Sequence, residues 1–234
     1  MPPRGRIALL IALTVLVTAL VLVVILGDGG SSTPGTPSSS TPGTSSSGSP
    51  STGGSPQPGA SSVSGFDGAA LPAGVRAYPF TLTALSTPTP SERSVSLSSF
   101  RGQVVAIAFL YTSCGPTCIL IAQQIRGALN ELARPPAVLI LSADPATDTR
   151  ASVERFLAQV SLAGRVYYLT GTPAQLHAVW HAYRVTPASA GHAAFDAAAT
   201  VYLVDPDGLE RVEFGSEQLT PEGLAHDIRR LQTG

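Results

Sequence analysis

The sequence predicts an α/β domain, a mixed sheet flanked by helices, carried behind one transmembrane helix and a disordered linker. Three observations predict it. Residues 7–26 form an unbroken uncharged run of Leu, Val, Ile, Ala and Thr, residues 27–65 are almost wholly Ser, Gly, Pro and Thr, and short apolar strands alternate with helical patterns from residue 66 onward.

The twenty residues from Ile7 to Leu26 span ~30 Å as a helix, the thickness of a bilayer's hydrocarbon core. The run is longer than the apolar part of a cleaved signal peptide, and no small-x-small cleavage site closes it. An uncleaved anchor is therefore expected over 1–26. Arg4 and Arg6 precede the span while only Asp28 follows closely, which places the N-terminus in the cytoplasm and the rest outside. The expected location is a single-pass cell-membrane protein with an extracytoplasmic C-terminal domain.

Residues 27–65 offer no packable apolar side chain before Val63 and read as a disordered tether. Its random-coil reach is about 35 Å. Residues 66–234 have the size of one domain with its own core. The net charge of −1 and the lack of a basic cluster exclude nucleic acid as a natural partner. The 14 basic residues are all Arg, a composition bias rather than a functional signal.

Within that domain, Tyr78 to Leu85 and Ser94 to Phe100 read as strands around the Pro88 and Pro90 turn, and Val104 to Tyr111 as a fully apolar central strand. A helix is expected from Pro116 to Leu132, a strand from Ala137 to Ser142, and a helix to Gln159 capped by Asp148 or Thr149. Arg165 to Leu169 is the next strand, and Thr172-Pro173 opens a helix to Tyr183. Thr200 to Val204 and Leu209 to Phe214 form a hairpin about Asp205-Pro206-Asp207-Gly208, and Pro221 to Leu231 is the closing helix.

The two cysteines, Cys114 and Cys118, fall at the strand-to-helix turn after residue 111. Four-residue spacing there puts both sulfurs on one face, near unpaired N–H groups and the positive end of the helix dipole. Those donors favour thiolate, which attacks disulfides and binds soft metals. A plain disulfide staple is the alternative, but so short a loop contributes only about 2 kcal/mol. A dithiol at this turn of an α/β sheet is the thioredoxin-like arrangement.

Four blocks carry a family resemblance: Tyr111-Thr112-Ser113-Cys114 with Cys118; Ser142-Ala143-Asp144-Pro145 with Asp148-Thr149; Gly171-Thr172-Pro173 ahead of Ala182-Tyr183-Arg184-Val185; and Tyr202-Leu203-Val204-Asp205-Pro206-Asp207-Gly208. In this order they resemble the Sco (SenC) proteins across nearly the whole domain. The resemblance implies a thioredoxin-like fold on a membrane anchor, copper bound through Cys114, Cys118 and one histidine, and a role in maturing the binuclear copper site of cytochrome c oxidase. Cu(I), which prefers soft thiolates, is the expected cargo. The copper-accepting subunit of a terminal oxidase is the expected partner.

Two departures bear on that role. Where the family pattern has its histidine, after an Asp and five residues before the Tyr of the last hairpin, this chain has Ala197 after Asp196. His192, in the Gly191-His192-Ala193-Ala194 stretch read as a flexible loop, is the candidate replacement. Gly115 and Ile119 stand where family members commonly carry Pro, and the resulting Cys-Gly-Pro-Thr-Cys is similar to a thioredoxin motif with Thr117 inserted.

Copper delivery is thus the leading function, and the protein is more a metallochaperone than an enzyme. A thiol-disulfide oxidoreductase that keeps the acceptor's cysteines reduced, with weak or no copper binding because of Ala197, is the alternative, and Cys114 is its candidate attacking thiol. A copper-insensitive sensing module and a peroxide-reducing thiol enzyme rank below both. The remaining polar candidates have structural readings. His177 and His181 share a helix face without a third ligand, and Trp180 between them, like Tyr183 and Phe156, is expected in the core. His226 reads as a solvated surface residue, and Asp144 and Asp148 as turn and cap residues.

Overall fold

The computed structural model describes residues 65–89 and 93–233. The expected anchor and nearly all of the expected linker lie outside the described residues. Among the described residues no helix is long and apolar enough to cross a membrane.

The strands are β1 (Ala69–Ala70), β2 (Thr81–Ser86), β3 (Ser94–Ser96), β4 (Val105–Leu110), β5 (Ala137–Ser142), β6 (Tyr167–Thr170), β7 (Thr200–Val204) and β8 (Glu210–Gly215). The helices are α1 (Pro116–Glu131), α2 (Arg150–Gln159), α3 (Pro173–Ala182), α4 (His192–Ala198) and α5 (Pro221–Thr233). They build one sheet in the order β1-β8-β7-β4-β5-β6-β2-β3. β4, β5 and β6 run parallel, as helical crossovers require, while β7 is antiparallel to both β4 and β8.

β4 shows why the sheet is central. All six of its residues are buried, and they alternate between two cores: Ala106, Ala108 and Leu110 join one cluster, Val105, Ile107 and Phe109 the other. A period of two in an all-apolar strand is the mark of a sheet covered on both faces. The first cluster contains α1, α2 and α5 side chains together with Cys114, Cys118 and Tyr111. The second holds α3 with Trp180 and Tyr183.

The helix starts follow local chemistry. Thr149 and Thr172 each close a reciprocal cap, with Ser152 and Gln175 respectively. Pro occupies an early position in α1 and α3, where its missing N–H costs nothing.

Several expectations need correction. The expected strand from Ser94 to Phe100 stops at Ser96, and Leu97–Phe100 forms a 3-10 turn that buries Leu97 and Phe100, three apart. The strand expected from Tyr78 begins only at Thr81, and the one expected from Arg165 begins at Tyr167. The stretch around His192 is helix α4, with Phe195 as its buried anchor. Its alanines favour helix intrinsically, but with one large apolar residue it lacks the periodic stripe by which helices are recognised.

Candidate dithiol and metal site

Cys114 and Cys118 are joined in a disulfide, with Cα atoms 5.8 Å apart. Cys118 lies in the first turn of α1, and Gly115, which caps that helix, has φ of +83°, a conformation that a side chain would strain. Cys118 is fully buried and Cys114 retains 5% exposure, so an incoming thiol meets Cys114 first.

Tyr111, at the end of β4, organises one side of the turn. Its carbonyl accepts the Cys114 N–H. Its ring packs edge-on against Phe195 at 4.9 Å, and its hydroxyl makes a 2.5 Å hydrogen bond with His192 Nδ1. Burial, then the charges of Asp196 and Asp144, push the Tyr111 hydroxyl above its ordinary pKa. His192 itself is exposed, at the start of α4 behind Gly191. With the disulfide closed it is held by Tyr111, while Ala197 lies exposed on the same short helix and offers no donor. Asp196 stands one turn after His192, and its Oδ1 is buried without a hydrogen-bond partner.

Asp148 lies on another side of the turn and is not the cap of α2, which is Thr149. It is 4% exposed, and its carboxylate accepts three hydrogen bonds: Thr112 N–H to Oδ1 at 2.8 Å, and the Ser142 and Tyr168 hydroxyls to Oδ2 at 2.6 and 2.8 Å. Burial pushes its pKa up against the lowering effect of those donors. Periodicity carries no signal for such an inward-turned acid. Asp144 does serve the turn, through Ala146 N–H and the Thr147 hydroxyl.

The other histidines stand apart from the dithiol. His177 and His181 are exposed, and the His177 ring packs edge-on against Trp180 at 5.2 Å. His226 is not a lone solvated residue: its Nδ1 lies 2.9 Å from Asp227 Oδ1 and 3.2 Å from Asp67 Oδ2. Asp227, fully buried, also accepts the N–H groups of Asp67 and Gly68. This cluster ties the start of the domain to α5.

A central parallel trio of strands, flanked by antiparallel neighbours and carrying a cysteine pair at the start of the helix after β4, defines a thioredoxin-like dithiol protein. Residues 78–233 match the SCO1/SenC family, and the chain belongs to that family. Among solved structures, BsSco, a member of the Sco family of cytochrome c oxidase assembly proteins, is 21% identical with a TM-score of 0.57, covering 70% of this chain and 96% of its own. Yeast Sco1 with copper bound is 20% identical with a TM-score of 0.55, covering 68% and 93%. The thioredoxin domain of a thiol-disulfide oxidoreductase from Bacteroides vulgatus is 17% identical with a TM-score of 0.51, covering 68% and 97%. At these identities the likeness shows the shared fold. No curated protein matches the chain.

Proposed function

We propose that this protein is a membrane-anchored copper carrier that delivers Cu(I) to the binuclear copper site of cytochrome c oxidase, with Cys114, Cys118 and His192 holding the cargo. The observation that carries the reading is the hydrogen bond from His192 to Tyr111, the residue whose carbonyl accepts the Cys114 N–H. When the Tyr111 oxygen accepts the Nδ1 proton, His192 is the tautomer whose Nε2 lone pair is free, the form that ligates metal. Two thiolates and one imidazole suit Cu(I). The closed disulfide has no thiolate to offer, so loading follows reduction of the pair. Release is ligand exchange onto thiolates of the acceptor subunit.

Residues 7–26 hold the carrier in the membrane, and the tether lets the extracytoplasmic domain reach its acceptor at the membrane surface. The supporting feature is the length and apolarity of that run.

A second reading, thiol-disulfide exchange with the acceptor's cysteines, is favoured by the closed disulfide and by Ala197 in place of the family histidine. One titration separates the two. Reduced full-length protein in detergent is titrated with Cu(I) against a competing chelator, alongside His192→Ala. Tight one-to-one binding that weakens in the variant supports the carrier, and weak binding indifferent to His192 overturns it in favour of the exchange reading.

A further inference from the structure

The Asp148 carboxylate is joined to the dithiol turn by structure rather than by sequence proximity. Its Oδ1 holds the Thr112 N–H, two residues before Cys114. Its Oδ2 takes hydroxyls from β5 and β6, Ser142 and Tyr168, and the Ser142 carbonyl is in turn fixed by the Trp180 indole at 3.1 Å. A neutral acceptor would suffice to hold one N–H. A carboxylate at 4% exposure brings a poorly screened negative charge next to the turn, at the cost of desolvating it.

We propose that Asp148 is the positioning residue of the Cys114–Cys118 pair: it pins the Thr112 end of the turn, and its charge disfavours the thiolates, biasing the pair toward the disulfide and making the reduced pair a stronger electron donor. This deepens the dithiol role on which both functional readings rest. The step it governs is reduction by an external dithiol. One thiolate of that reductant attacks Sγ of Cys114, and Sγ of Cys118 leaves with the electron pair of the broken S–S bond. The reductant's second thiolate then attacks the mixed disulfide and releases Cys114 as thiolate, so the reductant departs as a disulfide and the protein holds two reduced sulfurs. A negative charge nearby opposes both departures. The other titratable groups at this corner are Tyr168, Tyr111 and Asp144. Tyr168, pushed well above its ordinary pKa, stays protonated and donates throughout.

The test equilibrates full-length protein in detergent with dithiothreitol redox buffers across a pH series, for wild type, Asp148→Asn and Tyr168→Phe. In Asp148→Asn the equilibrium shifts about tenfold toward the dithiol, and iodoacetamide alkylates Cys114 about tenfold faster at a fixed pH below the thiol midpoint. The inflection that Asp148 imposes on the wild-type pH profile disappears. In Tyr168→Phe, which keeps the carboxylate but removes one of its donors, that inflection moves to higher pH. A merely structural role would lower thermal stability and leave the profile unchanged. Superimposable profiles for wild type and Asp148→Asn overturn the proposal. Should Asp148→Asn fail to fold by near-UV circular dichroism, an unmoved inflection in Tyr168→Phe overturns it. A wild-type pair that dithiothreitol cannot reduce reversibly overturns the dithiol reading itself, and this proposal with it.

Discussion

The Tyr111 hydroxyl and His192 Nδ1 meet at 2.5 Å across 81 residues of sequence, joining the end of the central strand to a short helix on the far side of the α/β alternation. The contact ties His192 to the residue whose carbonyl holds the Cys114 N–H. His192→Ala is expected to weaken Cu(I) binding by tenfold or more, and Tyr111→Phe, which keeps the ring but not the hydroxyl, by about tenfold. Competition against a Cu(I) chelator measures both, and unchanged affinity in the pair of variants removes His192 from the site.

Cys114 keeps 5% exposure and Cys118 none, which favours Cys114 as the thiol that meets a partner. Cys118→Ser leaves Cys114 as the less buried thiol and should trap a mixed disulfide with a partner thiol; Cys114→Ser, leaving the fully buried Cys118, should trap less. Non-reducing gels after incubation with a cysteine-containing acceptor peptide read the difference. Equal trapping would show that the turn opens in solution.

Asp148 also makes a stability prediction with a definite sign. Its folded-state pKa is raised by burial above the ordinary 3.8, so the folded state holds that proton more tightly than the unfolded one. Its favourable contribution is complete below the ordinary value and is lost as pH rises through the folded value. Asp148→Asn has no such loss, so urea midpoints should shift in the variant's favour between about pH 3.8 and neutrality. A difference independent of pH would contradict the burial argument.

Helix α4 depends on one anchor. Phe195 is buried against Tyr111, and Phe195→Ala should cost about 3–5 kcal/mol if the cavity does not collapse. Because α4 carries His192, the same variant should weaken copper binding even where the protein stays folded. Chemical denaturation and the chelator competition together test this, and full copper affinity would detach α4 from the site.

The buried carboxylate at the other end of the domain has a different duty. Asp227 accepts the N–H groups of Asp67 and Gly68, and Asp227→Ala leaves both without their acceptor. A loss of about 1–3 kcal/mol is expected, together with faster amide exchange at residues 67 and 68. Unaltered exchange there would mean that the N-terminal segment is held by other contacts.

Local rules made much of the fold legible. The all-apolar run before Cys114 announced a central strand, the threonines before Ser152 and Gln175 announced helix starts, and strands β5 and β7 fell on the predicted residues. These signals arise within a few residues, where backbone propensity, capping and side-chain periodicity act. The cysteine spacing, by the same token, located the chemistry. Helix α4, the inward turn of Asp148 and the His226 cluster were not legible, because each depends on groups brought together from distant parts of the chain. Ser142, Tyr168 and Thr112 converge on one carboxylate only after β4, β5 and β6 have paired. Sequence by itself determined the architecture and the identity of the reactive pair, since both follow from short-range patterns. Tertiary structure decided which histidine Tyr111 holds and which acid is buried against the Thr112 N–H, since burial and a third partner are properties of assembled packing.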